Sequence, residues 1–372
     1  MPDVLLAGAF GQGNPGDEAL LTAFLRALPP GRVAVTSRDP RATEARHCCD
    51  AFAPNGRDAM RELRRADAVV IGGGSVFKTL HPSTGRAPHS LLANTTLVAR
   101  GARALGKPLL LIGVGVGNLT SHRSQRLSRK LVRAADVLVL RDEESADVLT
   151  GIGAPAPFRV GADPAWTLLD DPPVRNQHEP GTTAVVALSH LAGGLELPRL
   201  VAEWIRVLQA AGLHVVLQPW QANGRGDDRR LARQVAARVG DVDVVDPPAD
   251  LVDAREQIAG AGLVLGMRFH ALMAAAGAGV RFVAVDHELK LGALARRFSQ
   301  PTVAPTESRD RMAGAVADAL AGPAPGVSEL LEQVALAEEG FRLLRLVVEG
   351  GAPDPDELRG LPLEPAPWEV PQ

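Results

Sequence analysis

The sequence contains no tyrosine, and its only two cysteines are the adjacent Cys48 and Cys49. Two neighbouring thiols cannot build a disulfide framework or a four-ligand zinc site, which favours a reduced compartment. No apolar run is long enough to cross a bilayer. The first residues, Met1-Pro2-Asp3, lack the basic start and long apolar core of a secretion signal. We therefore expect a cytoplasmic protein.

Long tracts of one charge are missing as well. The net charge is -3, so the composition gives no sign of a general nucleic-acid-binding protein. Apolar residues make up 46% and charged residues 22% of the chain, which is typical of a globular protein. At 372 residues the chain exceeds the usual size of one hydrophobic core, and this length predicts two domains.

Short leucine-rich or β-branched runs alternate with segments of helical period, which is typical of parallel βαβ units. The alternation occurs twice, on either side of a polar, proline-bearing stretch, and predicts an α/β protein with two Rossmann-like domains and a long C-terminal helix. The predicted strands are residues 4–7, 33–36, 68–71, 109–114, 137–140, 158–160, 184–189, 214–217, 242–245, 263–265 and 282–285. The predicted segments are a first domain (1–171), a linker (172–182), a second domain (183–325), a helix (326–350) and a Pro-rich tail (351–372).

Three glycine-rich segments follow predicted strands of the first domain. The first runs from Gly8 to Glu18, the second is Gly72-Gly-Gly-Ser75, and the third ends at Gly117. Glycine turns at the carboxyl edge of a parallel sheet present backbone N–H groups to anions. The first lacks the G-x-G-x-x-G spacing of a dinucleotide site. Tight turns, with acids capping a helix, are the alternative interpretation.

Two strand ends supply cations. Arg141 follows a first-domain strand and can grip a carboxylate or phosphate through two parallel hydrogen bonds. A salt bridge to Asp142 or Glu144 is the alternative. In the second domain, Arg268 and His270 lie where a strand ends and a small-residue helix begins. The helix dipole disfavours cations there unless an anion is bound, although a histidine satisfied by core groups remains the alternative for His270.

Six segments, taken in order, resemble the polysaccharide pyruvyl transferase family: GAFGQGNPGDEALL, VVIGGGSVFK, VLRDEESADVL, VGADPAW, LQPWQANGRGDDRRLA and GMRFHAL. The opening pattern is most similar to the branch that pyruvylates the secondary cell-wall polysaccharide anchoring surface-layer proteins. The resemblance implies a GT-B-like architecture and phosphoenolpyruvate as the donor substrate, with no metal or other cofactor. It also implies a 4,6-linked pyruvyl ketal on a hexose such as N-acetylmannosamine.

The resemblance places donor recognition on Arg141 and on the pair Arg268 and His270, with His270 moving protons near neutrality. It implies that the first domain holds the acceptor and the second the donor, and that the two domains form a clamp. The partners expected are phosphoenolpyruvate and a hexose-containing, lipid-linked glycan at the inner face of the membrane, and no nucleic acid. The predicted substrate-binding residues are Gly11, Asn14, Asp17, Glu18, Gly73, Gly74, Ser75 and Lys290.

Some positions depart from the family pattern. Thr79 stands where many relatives carry Asp, and His190 where a strand-end Arg is common. His287 and Glu288 replace a Tyr-Asp pair before Lys290. Such differences predict a different choice of acceptor.

Three other functions are compatible with parts of the sequence. A GT-B glycosyltransferase with a nucleotide-sugar donor would use similar cations. An NADP-binding oxidoreductase is suggested by Arg38, but the glycine spacing is wrong. A non-catalytic scaffold would dock through a basic helix on anionic lipid or a partner. The basic residues of that helix are Arg126, Arg129, Lys130 and Arg133.

Overall fold

The computed structural model describes residues 1–54, 56–80, 86–155, 157–171, 181–190, 196–222, 227–354 and 357–358. The chain divides into two compact units. The first comprises residues 1–13, 17–167 and 332–372, and the second comprises residues 14–16 and 168–331. Each unit has its own parallel sheet flanked by helices, which confirms the predicted α/β fold with two Rossmann-like domains.

The first unit contains an 8-stranded sheet in the order β3-β2-β1-β4-β6-β7-β8, with β5 paired to β6. The predicted strands are present, whereas the three-residue β3 and β5 were missed because such short runs show no periodicity. The strands are β1 (Asp3–Phe10), β2 (Arg32–Ser37), β3 (Asp50–Phe52), β4 (Ala68–Gly72), β5 (Ser75–Phe77), β6 (Leu109–Val116), β7 (Val137–Leu140) and β8 (Arg159–Val160). The helices are α1 (Pro15–Ala27), α2 (Pro40–His47), α3 (Gly56–Arg65), α4 (Ser90–Ala104), α5 (His122–Ala134) and α6 (Glu143–Gly151), and a 3-10 helix follows at Pro164–Leu168.

Helices cover both faces of this sheet, which explains why β6 is buried along its whole length. On one face, α3 to α6 contribute Leu63, Leu92, Leu131 and Leu149 to a single core cluster with the strands. On the other face, Phe24 of α1 meets Phe341 edge-on, with ring centroids 5.2 Å apart. A C-terminal residue therefore completes the core of the N-terminal unit.

The second unit contains a 6-stranded parallel sheet in the order β11-β10-β9-β12-β13-β14. A core cluster joins α7, α8 and α12 to the sheet. The strands are β9 (Thr183–Ala187), β10 (His214–Gln218), β11 (Asp243–Val244), β12 (Leu263–Gly266), β13 (Phe282–Val285) and β14 (Thr302–Val303). The helices are α7 (Leu197–Ala210), α8 (Asp228–Val239), α9 (Leu251–Ile258), α10 (Phe269–Gly277), α11 (Leu289–Arg297) and α12 (Arg309–Ala321), and the long helix α13 (Val327–Val348) follows them.

The long helix α13 confirms the predicted C-terminal helix, and its apolar stripe is buried as the periodicity indicates. It begins in the second unit and continues in the first from Glu332. The predicted linker falls largely on residues 172–180, and most of the predicted tail on residues 359–372, which lie outside the described residues. Among the described helices, none is long and apolar enough to cross a membrane.

Candidate functional site

Both sheets have a point where the strand order reverses. In the first sheet, β2 and β3 are added on one side of β1, whereas β6, β7 and β8 are added on the other side, beyond β4. In the second sheet, β10 and β11 lie beyond β9, whereas β13 and β14 lie on the other side, beyond β12. Ligands of open α/β sheets bind outside the carboxyl ends of the strands at such a switch point. Gly11 and the GGGS loop follow β1 and β4, whereas His190 and Arg268 follow β9 and β12. Most of the predicted site residues therefore lie at two switch points.

The turn after β1 is fixed by its own polar side chains. Asn14 Oδ1 accepts a hydrogen bond from Gly16 N at 3.0 Å and so caps α1. Glu18 is buried: Oε1 accepts from Gly11 N at 3.0 Å, and Oε2 lies 2.9 Å from Nε2 of the equally buried His47. One carboxylate oxygen of Glu18 thus holds the glycine turn, and the other is paired with His47 at the end of α2.

The second and third glycine segments meet at the same edge. Gly115 N donates to Gly74 O at 2.9 Å, which ties the end of β6 to the GGGS loop. Gly73 and Gly74 have φ of 61° and 68°, a left-handed conformation that glycine adopts without strain. Asp17 Oδ1 would lie 4.0 Å from a Cβ at Gly74, so the first turn borders this loop too. Ser75, at the start of β5, is half-buried.

Arg141 is almost completely buried at the carboxyl end of β7. Its Nε lies 2.9 Å from Asp142 Oδ2, and its Nη1 lies 3.8 Å from Asp163 Oδ2. The guanidinium rests on Gly115, where a Cβ would be only 2.5 Å from Nη2. Burial alone would raise the pKa of Asp142, but Arg141 and the hydrogen bonds from Ser145 hold that pKa below its ordinary value. The salt bridge considered as an alternative for Arg141 is therefore present.

Arg268 lies at the N-cap of α10, and 18% of its side chain is exposed. Its Nη2 donates to Asp228 Oδ2 at 2.6 Å, and its Nε donates to Leu188 O at 3.1 Å. The anion that offsets this cation at a helix N-terminus is thus a carboxylate of the protein itself.

Asp228 is the buried centre of the second switch point. Its Oδ2 also accepts from the backbone amides of Trp220 and Gln221, and its Oδ1 lies 3.0 Å from His190 Nδ1. Asp228 was not among the site residues predicted from the sequence. The one available signal was the Asp-Asp pair that opens α8, in which Asp227 is the N-cap and Asp228 points inward.

His270, in the first turn of α10, packs at 5.4 Å and nearly perpendicular to the ring of Phe269. Gly16, which groups with the second unit, lies against the imidazole so closely that a Cβ would overlap it. Nearby at the start of α11, Lys290 Nζ lies 2.6 Å from Glu288 Oε2 and 5.9 Å from the Phe269 ring centroid. The predicted site residues His270 and Lys290 are therefore close neighbours of Arg268.

His287 follows β13 beside them, and its Nδ1 lies 3.0 Å from Val285 O. Burial lowers the pKa of His287, and the charges of Lys290 and Arg268 lower it further against the opposing effects of Val285 O and Glu288. Burial and the two cations therefore favour the neutral form of its imidazole. Within the described ranges, no three His, Cys, Asp or Glu side chains are grouped as metal ligands.

Solved structures with a similar fold include UDP-GlcNAc 2-epimerases. UDP-GlcNAc 2-epimerase from Methanocaldococcus jannaschii matches with a TM-score of 0.63 and 12% identity, covering 94% of this chain and 100% of that one. The S. aureus MnaA structure with UDP gives 0.64 and 10%, covering 95% and 99%. The Neisseria meningitidis epimerase bound to UDP-GlcNAc gives 0.59 and 9%, covering 94% and 100%. These likenesses confirm the GT-B-like fold.

A search of curated protein sequences finds no significant match. The family model of polysaccharide pyruvyl transferases matches residues 14–288, which is more than half of the chain and includes the GGGS loop of the first unit and His190, Asp228 and Arg268 of the second. This match confirms the resemblance carried by the sequence motifs, and the chain belongs to the polysaccharide pyruvyl transferase family.

Proposed function

We propose that this transferase moves the pyruvyl group of phosphoenolpyruvate onto a hexose of a cell-wall polysaccharide precursor, forming a pyruvyl ketal and releasing phosphate. The observation that carries the proposal is Arg268, which is held by the buried Asp228 at the switch point of the second sheet while part of its side chain remains exposed. A guanidinium fixed in this way suits a small anion that carries a carboxylate and a phosphate.

The other residues take roles that fit their positions. In the second unit, Lys290 adds positive charge beside Arg268 for the donor, and His270 is the histidine to which the family motif assigns proton transfer. In the first unit, Arg141 is a further anion-binding guanidinium. The glycine loops at the first switch point offer backbone N–H groups and space for the acceptor. Phosphoenolpyruvate is a substrate in this scheme, and no metal or other cofactor is invoked. The surface-layer polysaccharide branch, with N-acetylmannosamine as the acceptor hexose, is our specific proposal.

An acceptor-dependent phosphate assay tests this function. Purified protein is incubated with phosphoenolpyruvate and a lipid-linked or nucleotide-linked N-acetylmannosamine acceptor, and phosphate release is compared with and without acceptor. We expect release only with acceptor, together with a product that has gained the mass of a pyruvyl ketal. Acceptor-independent hydrolysis, or a product lacking that mass, would contradict the proposal.

A nucleotide-sugar glycosyltransferase is the second candidate, because similar solved structures include complexes with UDP and UDP-GlcNAc. The same acceptor is offered UDP-hexoses in place of phosphoenolpyruvate. Release of UDP with growth of the glycan would favour this candidate.

A lipid-linked acceptor requires the protein to reach a membrane surface, and one face of the first unit suits that task. Eleven of the chain's 40 Lys and Arg residues, but only two of its 43 acidic residues, lie on α3, α4 and α5. These helices pack on the same face of the sheet. The basic residues classed as exposed, here called the basic face, are Arg57, Arg61, Arg64, Arg65, Arg100, Arg103, Arg123, Arg126, Lys130 and Arg133.

Apolar groups accompany this charge. Leu97 of α4 is 70% exposed, and Met60 of α3 and Leu105 after α4 are also exposed. Arg129 was predicted to lie on the basic surface of α5 together with Arg126, Lys130 and Arg133. It is not part of the basic face, because its Nη1 donates to Ile152 O at 2.9 Å. The next helix along the chain, α6, exposes the acidic Glu143 and Asp147 instead. We infer that the basic face docks on anionic phospholipid, with Leu97 entering the headgroup region.

Vesicle flotation tests the docking. We expect the wild type to float with phosphatidylglycerol-containing vesicles at low salt and not with pure phosphatidylcholine. The triple variant Arg126→Glu, Lys130→Glu, Arg133→Glu should lose binding by well over tenfold, since each basic residue contributes about 1 kcal/mol. The control triple Arg233→Glu, Arg238→Glu, Arg309→Glu changes the net charge equally on exposed residues of the second unit and should bind normally. Equal loss in both triples, or a preference for RNA over vesicles, would contradict the docking.

A further inference from the structure

His190 follows β9 beside the switch point of the second sheet. Its Nδ1 lies 3.0 Å from Asp228 Oδ1, and 43% of its side chain is exposed. Because the buried carboxylate is held as an acceptor by Arg268 and two backbone amides, Nδ1 carries the hydrogen of this contact. The other ring nitrogen, Nε2, has no hydrogen-bond partner in the part of the chain that the structure describes. It is the ring atom able to exchange a proton with a ligand.

We propose that His190 is the proton-transfer group of this protein and that Asp228 is its positioning residue. The inference rests on the proposed pyruvyl transfer and assigns a catalytic role that the sequence motifs gave to His270. One carboxylate fixes both His190 and Arg268, so the proton donor and the anion-binding guanidinium keep a set separation. Asp228 also fixes the tautomer and the orientation of the imidazole, as a carboxylate does when it orients a histidine in a catalytic triad.

One histidine can both donate and accept the proton that the reaction transfers. Protonated His190 gives its Nε2 proton to the methylene carbon of phosphoenolpyruvate, and the central carbon becomes electrophilic. A sugar hydroxyl then bonds to that carbon and returns its proton to Nε2. The second hydroxyl forms the second C–O bond as the bond to phosphate breaks, and its proton leaves with the phosphate. His190 ends each turnover protonated, as it began.

His270 and His287 are less suited to this exchange. The His270 ring is covered by Gly16 on one side and meets the edge of Phe269. His287 is largely buried, and its Nδ1 is bound to Val285 O. His190, by contrast, contacts a buried carboxylate through Nδ1, and the rest of its ring is partly exposed. Among the residues that the structure describes, the charged groups at His190 are Asp228 from α8 and, through that carboxylate, Arg268 before α10.

The pH profile of kcat/KM distinguishes His190 from the other histidines. We expect His190→Gln to lower kcat by at least about 100-fold and to remove the ionisation that limits activity as the pH rises, with binding of phosphoenolpyruvate retained. The glutamine still hydrogen-bonds Asp228, so folding is preserved. His214→Gln is the matched control: His214 Nε2 lies 2.7 Å from Asp243 Oδ2 and is 44% exposed, but it begins β10 at the opposite edge of the sheet. This variant should behave as the wild type.

Two results would overturn the assignment. An active His190→Gln protein with the wild-type pH profile would remove His190 from the chemistry while leaving the proposed function intact. Loss of the same ionisation in His270→Gln but not in His190→Gln would return the role to His270. A wild-type protein that forms no ketal would contradict the proposed function itself. Asp228→Asn, which leaves an amide at the same position, should weaken the pH dependence of kcat/KM that His190→Gln removes.

Discussion

At the scale of single residues, an ion pair explains why the cation Arg268 stands at a helix N-terminus. The sequence shows a cation at a helix N-terminus, where the dipole disfavours it, and thus predicts an anion nearby. The anion is Asp228, which lies 40 positions earlier in the chain. No local sequence pattern links two residues so far apart, so this ion pair could be identified only from the tertiary structure.

Replacing Arg268 should therefore affect folding as well as activity. We expect Arg268→Ala to lower the free energy of unfolding by about 3 kcal/mol, because it removes the cation from a buried carboxylate. Adding Asp228→Asn should restore part of that stability, since a neutral amide needs no counter-charge. Urea denaturation followed by the fluorescence of Trp204 and Trp220 measures both effects in the second unit. Wild-type stability in the single variant would contradict the buried pair.

The contact between Gly115 and Arg141 gives a second test at this scale. A Cβ at Gly115 would lie 2.5 Å from Arg141 Nη2. We expect Gly115→Ala to displace the guanidinium and to lower kcat/KM for phosphoenolpyruvate by at least about tenfold, which corresponds to 1.4 kcal/mol. Gly151→Ala serves as the control, because nothing lies within 4 Å of a Cβ there. Equal activity in the two variants would remove Arg141 from donor binding.

At the scale of elements, the N-terminus of α6 joins a helix cap to an ion pair. Asp142 caps the helix through Ser145 N at 2.8 Å and also binds Arg141. The sequence predicted an Arg–Asp contact as an alternative, since the residues are adjacent. The further partner Asp163 could not be predicted, because it reaches Arg141 only through the pairing of β7 with β8.

Asp142 should make the first unit sensitive to acid. Its pKa is lower in the folded protein than in the unfolded chain, so it stabilises the fold above its ordinary pKa of about 4, and this stabilisation is lost as the pH falls further. Asp142→Asn should thus cost about 2 kcal/mol at pH 7, and its difference from the wild type should shrink below about pH 4. Asp147→Asn, an exposed acid of the same helix, should show no such trend. Unfolding curves at several pH values measure the difference.

At the scale of the whole molecule, the two units each have their own core, but the chain passes from one to the other and back. Helix α13 returns to the first unit from Glu332 onward and places Phe341 on Phe24. The periodicity of α13 predicted an apolar face. It gave no indication of which unit that face covers, because any apolar surface would satisfy it.

Truncating Phe341 should destabilise the first unit selectively. Phe341 is fully buried, and Phe341→Ala should cost about 3–5 kcal/mol. Leu208→Ala is the converse variant, since Leu208 is fully buried in the core of the second unit. Variants that retain a single tryptophan report the units separately, with Trp166 in the first and Trp204 in the second. Equal loss in both units would show that α13 does not act on the first unit alone.

The sequence by itself determined the α/β class, most strands, the C-terminal helix and the family, because periodicity and short motifs are local properties of a chain. It also selected the loops that end β1, β4 and β12, since glycine turns at strand ends are visible in sequence. Only the tertiary structure decided the strand order, and with it the two switch points. It alone joined His190, Asp228 and Arg268, because a parallel sheet brings together strand ends that the helices between them separate along the chain.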